Sequence, residues 1–382
     1  MRVEEEYFDY YDGTDHFSAP DEEGSVFGRY WIQFLRDETG HGRALIATSA
    51  GEALLCVTLS FALLGLACSG RGSDSIGTDS DPRSVSLDTG AGKISVLIID
   101  GVNNHDWERT TEANRATLEQ TGRFTVTVST SPRKRASRDE WEAWRPRFSD
   151  YDVVLSNFND DCEEDDGCAS LWSEATKADL ETFVREGGGF VSVHAADNHD
   201  ANWLEYNKMI GVGGWGGRQA GVHGSILRML DGEWIATSPD EGISGEHGRM
   251  RDFLVVHDRP DHPILAGLPA EWMHAEDELY ASLRGPAENV EVLAHSSSRY
   301  TNEDEPILML ITYGEGKVFH IPMGHYNDEF EPFGASLLCV GFQTVLARGT
   351  EYVATGEVTI GVPSSFPGAD APVVIAADEV VW

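Results

Sequence analysis

From Ile94 onward the chain alternates strand-like and helix-like patterns. "ISVLIIDG" is a continuous apolar run, as expected of a central strand covered on both faces. "TTEANRATLEQTG" begins with threonines and closes on Gly122, the marks of a helix. "FTVTVST" and "YDVVLSN" read as the next strands, and "SEATKADLETFVREGGG" as a helix stopped by glycines. "FVSVHAA" is the strand that delivers His194 to a turn. Strand and helix alternating at this spacing predict an α/β domain with a mostly parallel, doubly wound sheet. Ligands of such sheets sit beyond the carboxyl ends of the strands. The loops after Gly101, Ser156 and Val193 therefore share one rim, which carries His105, Asn157 and His194.

Past residue 198 the pattern changes. A loop-rich stretch, "NWLEYNKMIGVGGWGGRQAGVHG", leads into the β-like runs "DFLVVHD", "DELYASL", "VEVLAHSS", "PILMLITYG" and "KVFHIPMGH". A last helix is expected from Gly334 to Arg348, and no internal repeat is evident.

The first ninety residues have a different organisation. Residues 1–43 form an acidic tail, read as a start placed too far upstream. Within 44–68, "ALLCVTLSFALLGLAC" is short for a membrane span, which needs about 20 apolar residues. It suits the apolar core of a signal peptide. Ala67 before Cys68 resembles a bacterial lipoprotein signal, with Cys68 lipidated as the mature N-terminus. An uncleaved membrane anchor is the alternative, and both place the main domain outside the cytoplasmic membrane. Residues 69–93 are almost free of apolar side chains and read as a flexible tether. The folded domain is expected over 94–358, followed by a C-terminal tail, 359–382.

Charge narrows the partners. Asp and Glu number 65 against 28 Lys and Arg, for a formal net charge of -37. Such a chain repels phosphate backbones, so no nucleic-acid partner is expected. The acid is spread along the chain, the pattern of a proteome adapted to high salt. Cys162 and Cys168 flank the acidic loop "DDCEEDDGC" and can form a local disulfide after export, whereas Cys339 lies in an apolar segment and reads as core. The loop itself lacks an EF-hand spacing and reads as solvated.

Seven motifs in order, "NNHDW", "GGGFVSVHAADN", "WLEYNKMIGVGGWGGR", "HPILAGLP", "DELY", "YGEGKVFHIPMGH" and "RGTEYVATG", resemble the ThuA-like, trehalose-utilisation family. The resemblance implies the class I glutamine amidotransferase-like fold, a flavodoxin-like three-layer sandwich. It also implies a link to trehalose-type or keto-disaccharide use. In true amidotransferases of that fold the turn after the strand bears a cysteine and a late histidine is the base. The match puts His194 at the cysteine's place and His325 at the base's place. An imidazole cannot stand in for a thiolate in forming a glutaminyl thioester, so glutamine amidotransfer is not expected.

The expected chemistry is acid–base, since an imidazole titrates near neutrality. His194, His325, His105 and Glu278 are the catalytic candidates, serving hydrolysis or proton abstraction next to a keto group. The same three histidines, with a carboxylate from Glu276, Asp277 or Glu278, suit zinc or another divalent metal. Trp107 and Trp215 are candidates for stacking on sugar, and Arg218 for holding an anionic or hydroxyl-rich substrate. Asn104, Asn157, Asp197, Asn198 and Asp277 complete the expected substrate contacts. Trp203, Trp234 and Trp272 read as packing residues, His262 as shaping a turn, and His199, His223, His257 and His320 as structural. No Gly-x-Gly-x-x-Gly follows the first strand, so a nicotinamide cofactor is not expected. The competing function is a lipid-anchored, non-catalytic sugar-binding protein.

Overall fold

The computed structural model describes residues 30–36, 42–48, 92–161, 170–326 and 333–382. The chain divides into two units, 1–85 and 86–382. In the first, β1 (Tyr30–Arg36) and β2 (Gly42–Thr48) pair as an antiparallel hairpin with Tyr30 opposite Thr48. Its second strand runs through the boundary that the sequence pattern drew between acidic tail and apolar segment. Cys68, most of the tether and the Cys162–Cys168 loop lie outside the described residues. Among the described residues no helix is long and apolar enough to cross a membrane.

The second unit opens with β3 (Ile94–Asp100), α1 (Trp107–Gln120), β4 (Phe124–Thr130), α2 (Arg138–Ala143) and β5 (Val153–Ser156). It continues with α3 (Glu174–Arg185), β6 (Gly189–Val193) and α4 (Leu204–Ile210). Short strands follow: β7 (Ser225–Leu230), β8 (Glu233–Ala236) and β9 (Glu246–His247). Next come β10 (Arg251–His257), β11 (Glu271–Asp277), β12 (Tyr280–Ala281) and β13 (Arg284–Gly285). β14 (Val290–Ser297), β15 (Asp304–Tyr313), β16 (Gly316–Ile321) and α5 (Val340–Thr355) complete the unit.

Among the described residues the main sheet has nine strands, in the order β11-β10-β14-β15-β16-β6-β5-β3-β4. The strands β16, β6, β5, β3 and β4 run parallel. Numbered along the chain, these parallel strands lie in the spatial order second, first, third, fourth, fifth. The remaining four are added antiparallel. The expectation of a mostly parallel sheet is thus corrected to a mixed one, because the β-rich second half pairs through hairpin-type, antiparallel connections.

Period-two alternation in the buried strands supplies both faces of the sheet. Val96, Ile98, Val153, Leu155, Val191 and Phe319 face one core, shared with Leu118 of α1 and with Phe342 and Leu346 of α5. Leu97, Ile99, Val154, Phe190 and Val318 face the other, shared with Leu180 and Val184 of α3 and with Met209 of α4. Helices therefore cover the sheet on both sides. Asp106 caps α1 by accepting from the Arg109 amide, and Ser173 caps α3 by accepting from Thr176.

The last helix begins at Val340 rather than Gly334 and reaches Thr355, where Gly356 at φ +77° ends it. Gly349 lets this helix press onto the sheet, since a Cβ there would meet Phe319 Cδ1 at 2.2 Å. Residues 359–382 are not a loose tail. The Val340 amide donates to Val373 O and Ile375 N to Leu338 O, tying this segment across the start of α5.

Candidate functional site

The ends of β3, β6 and β16 point their following loops to one rim, and a cluster of ionisable side chains assembles there. His105 comes from the loop after β3, His194 from the turn after β6 and His325 from the loop after β16. Glu278 joins them from the link between β11 and β12. One ligand atom from each of the four lies within 4.8 Å of all the others. The ring centroids of His105 stand 4.9 Å from His194 and 4.8 Å from His325, both edge-on.

His194 and His105 are held from behind, and His325 pairs with Glu278 inside the cluster. His194 takes φ +46°, an αL conformation unfavourable for a residue with a Cβ. That twist turns the ring so that Nδ1 meets Pro322 O at 2.9 Å. A carbonyl only accepts, so Nδ1 carries the proton and Nε2 presents a lone pair to the cluster. Nε2 lies 3.0 Å from the Tyr280 hydroxyl, 3.3 Å from His325 Nδ1 and 4.0 Å from Glu278 Oε2. His325 Nδ1 is also 3.2 Å from Glu278 Oε2. His105 Nδ1 lies 3.1 Å from Asn103 Oδ1, whose amide is oriented by accepting from Asn159 Nδ2.

Electrostatics divides the histidines. Burial pushes His105 down to about 2, with the adjacent His194 and His325 adding to the fall. Burial likewise lowers His194. At His325 burial pulls downward, but the hydrogen bond and charge of Glu278 outweigh it and raise the imidazole. The cluster accordingly contains two neutral rings with lone pairs turned inward and a third that pairs with a carboxylate.

Above this floor opens a cavity of about 560 Å³. Asn104, Asn159, Asn198, Trp215, His247 and Tyr280 line it together with His105 and Glu278. The Trp215 ring meets Tyr280 edge-on at 4.6 Å. The glycine-rich loop is drawn against the His194 turn, for a Cβ at Gly213 would stand 2.3 Å from Asp197 O.

Several expected contacts fall elsewhere. Arg218 is buried away from the cavity, its guanidinium spent on the carbonyls of His199 and Gly214 and on Asn207 Oδ1. Asp197 is fully buried and pairs with His320 at 3.2 Å. Asn157 gives its amide to Trp107 O, Thr110 and Thr111, fastening the start of α1. Trp107 opens that helix outside the cavity lining. Asp277 lies beneath the floor: it accepts from the amides of Gly324 at 2.8 Å and His325 at 3.2 Å. Glu276 is absent from the cluster. The cysteine free among the described residues, Cys339, is buried in the core.

Sequence reasoning missed Asn159, His247 and Tyr280. Asn159 stands two residues beyond Asn157, so its rim position was a usable signal. Tyr280 sits within "DELY", and its hydroxyl carried no sequence mark. His247 belongs to a two-residue strand with no readable period.

An α/β sheet with a histidine–carboxylate cluster at the carboxyl ends of its parallel strands defines the class. The sequence profile of the family described as "Trehalose utilisation", ThuA, matches residues 95–353, and the chain belongs to that family. Among solved structures it is similar to a ThuA-like protein from Parabacteroides merdae, 32% identical, with TM-score 0.69, covering 75% of this chain and 99% of that one. It is also similar to a ThuA-like protein from Bacteroides uniformis, 17% identical, with TM-score 0.45, covering 74% of this chain and 98% of that one. No curated protein matches the chain.

Proposed function

We propose that this ThuA-family protein acts on a carbohydrate, of the trehalose or keto-disaccharide type, in the cavity above His105, His194, His325 and Glu278. One observation carries the reading: His194, buried in a strained turn, aims a neutral Nε2 into a cluster whose His105 and Glu278 line a sugar-sized polar cavity. Such a nitrogen accepts a proton, and Glu278 paired to His325 supplies a partner to pass it on. Hydrolysis and elimination beside a keto group both use such a pair. Asn104 and Asn198 offer polar groups to hydroxyls and Trp215 an apolar face, while Asn159 is committed to positioning Asn103 and Asn104.

The parallel strands run in the flavodoxin-like order, which supports the class I glutamine amidotransferase-like fold. Glutamine hydrolysis is outside the proposal, because an imidazole occupies the nucleophile's turn. Export and anchoring through lipidated Cys68 belong to the same proposal, as does adaptation to high salt, on the apolar run before that cysteine and the distributed acid.

The test is incubation of the purified chain with trehalose-type disaccharides and their 3-keto forms, and separately with glutamine. Product from a sugar and no ammonia from glutamine is the expected result. Saturable sugar binding without turnover would instead make the chain a sugar-binding protein.

A further inference from the structure

We propose that His105, His194, His325 and Glu278 are the ligands of a divalent first-row transition-metal ion. The first support is the direction of the lone pairs. Pro322 O fixes the proton of His194 on Nδ1, and Asn103 Oδ1 does the same for His105. Asn103 Oδ1 also accepts the His105 backbone amide at 3.0 Å, which confirms that atom as the oxygen. Both rings thus keep Nε2 unprotonated. A buried imidazole whose outer N–H is tied to an oxygen is the arrangement that orients metal-binding histidines.

The second support is spacing. Tetrahedral zinc with bonds near 2.0–2.1 Å needs donors about 3.3–3.4 Å apart. His325 Nδ1 to Glu278 Oε2 is 3.2 Å and His194 Nε2 to His325 Nδ1 is 3.3 Å. His194 Nε2 to Glu278 Oε2 is 4.0 Å, and no pair exceeds 4.8 Å. The wider pairs close by less than a bond length, or are met by a larger ion with more ligands. Three imidazoles and one carboxylate, with no sulfur, suit zinc, manganese, iron or cobalt over calcium and magnesium, which favour all-oxygen sites.

The third support lies behind the ligands. Asp277 accepts from the amide of His325 at 3.2 Å and from that of Gly324 at 2.8 Å, and Ser336 donates to it at 2.6 Å. The loop carrying His325 is thereby locked to the strand end that carries Glu278. A cluster needed only for packing has no use for such orientation of inward lone pairs.

The cavity lies on the open side of the cluster, where a substrate oxygen or water would complete the coordination. There the ion would polarise a carbonyl or acidify a bound water. The inference deepens the carbohydrate reading by giving it a cofactor, and it moves the base from His194, whose only lone pair the ion would take, to a water held by the ion; it rests on the ligands alone.

Cobalt(II) is the probe. The full chain, stripped with chelator, is titrated with cobalt chloride, desalted, and read by elemental analysis and by visible d–d absorption. Stoichiometric cobalt with an absorption band is expected in the wild type and in His223→Ala, which changes a histidine outside the cluster. The band should be lost in His105→Ala and in His325→Ala. Circular dichroism shows whether each variant is folded, and His105→Ala, altering a loop residue, carries the test if His325→Ala does not fold. Folded wild type that retains no cobalt, or variants that retain it as fully as wild type, would overturn the assignment. Sugar turnover by protein that retains no cobalt would sink it while leaving the carbohydrate reading intact. Metal bound without turnover would do the reverse.

Discussion

Replacing Asp277 by asparagine tests how the floor of the site is built. The carboxylate is fully buried and accepts from Gly324 N, His325 N and Ser336 Oγ, and it lies 2.7 Å from His274 Nε2. Burial alone would raise its pKa, but the hydrogen bond and charge of His274 and the donor Ser336 bring it down to about 2. Asn keeps the shape and one acceptor, but its NH₂ must face groups that are themselves donors. Each hydrogen bond to a charged group is worth about 1.5–3 kcal/mol. Breaking one side of a buried pair costs about 3–5 kcal/mol, since His274 would stay buried without its counter-charge. That is a large share of the roughly 5–15 kcal/mol that holds a typical domain together. In urea unfolding at pH 7, the Asp277→Asn midpoint should fall by about 1–2 M at unchanged slope. A midpoint within the error of wild type would show that the carboxylate does not hold the His325 loop, and the account of the floor would fail.

Other outcomes follow from single contacts. Gly349→Ala places a methyl against Phe319 and should destabilise the domain by about 1–3 kcal/mol through overpacking; an unchanged melting temperature would contradict the close approach of α5. His257 accepts from Trp272 Nε1 and burial lowers its pKa to about 4, so its contribution to stability is complete above pH 6.5. It is lost progressively as pH falls from 6.5 toward 4, because the unfolded chain takes up the proton first. His257→Gln should show a shallower acid decline than wild type in denaturation curves across that range, and parallel curves would refute the assignment. Trp215→Ala should weaken sugar affinity about 3–10-fold with little change in stability, read by calorimetry; unchanged affinity would remove Trp215 from the binding face.

Much of this arrangement was legible in the sequence where local pattern decides it. "ISVLIID" and "GFVSV" are buried on both faces, so their apolar runs announced central strands and placed His105 and His194 on one rim. The antiparallel half was not legible in the same way: β14, β15 and β16 follow one another through short connections, but β10 reaches β14, and β16 reaches β6, only across long stretches of chain, so non-local pairing fixes the order of the sheet. Side-chain targets were hardest to read. An arginine in so acidic a chain looked like a ligand clamp, but Arg218 satisfies carbonyls brought to it by the glycine loop and the His194 turn. Asp197 looked available at the turn, but its partner His320 lies 123 residues further along the chain. Tyr280 and His247 reach the cavity from two-residue strands, too short to show a period.

The central claim is that the chemistry runs through the histidine cluster, and turnover by His194→Asn tests it most directly. Asn neither exchanges a proton near neutral pH nor serves well as a metal ligand. Sugar turnover should be lost while circular dichroism and sugar binding stay close to wild type. Full turnover in a folded His194→Asn protein would contradict the account and move the chemistry away from His194.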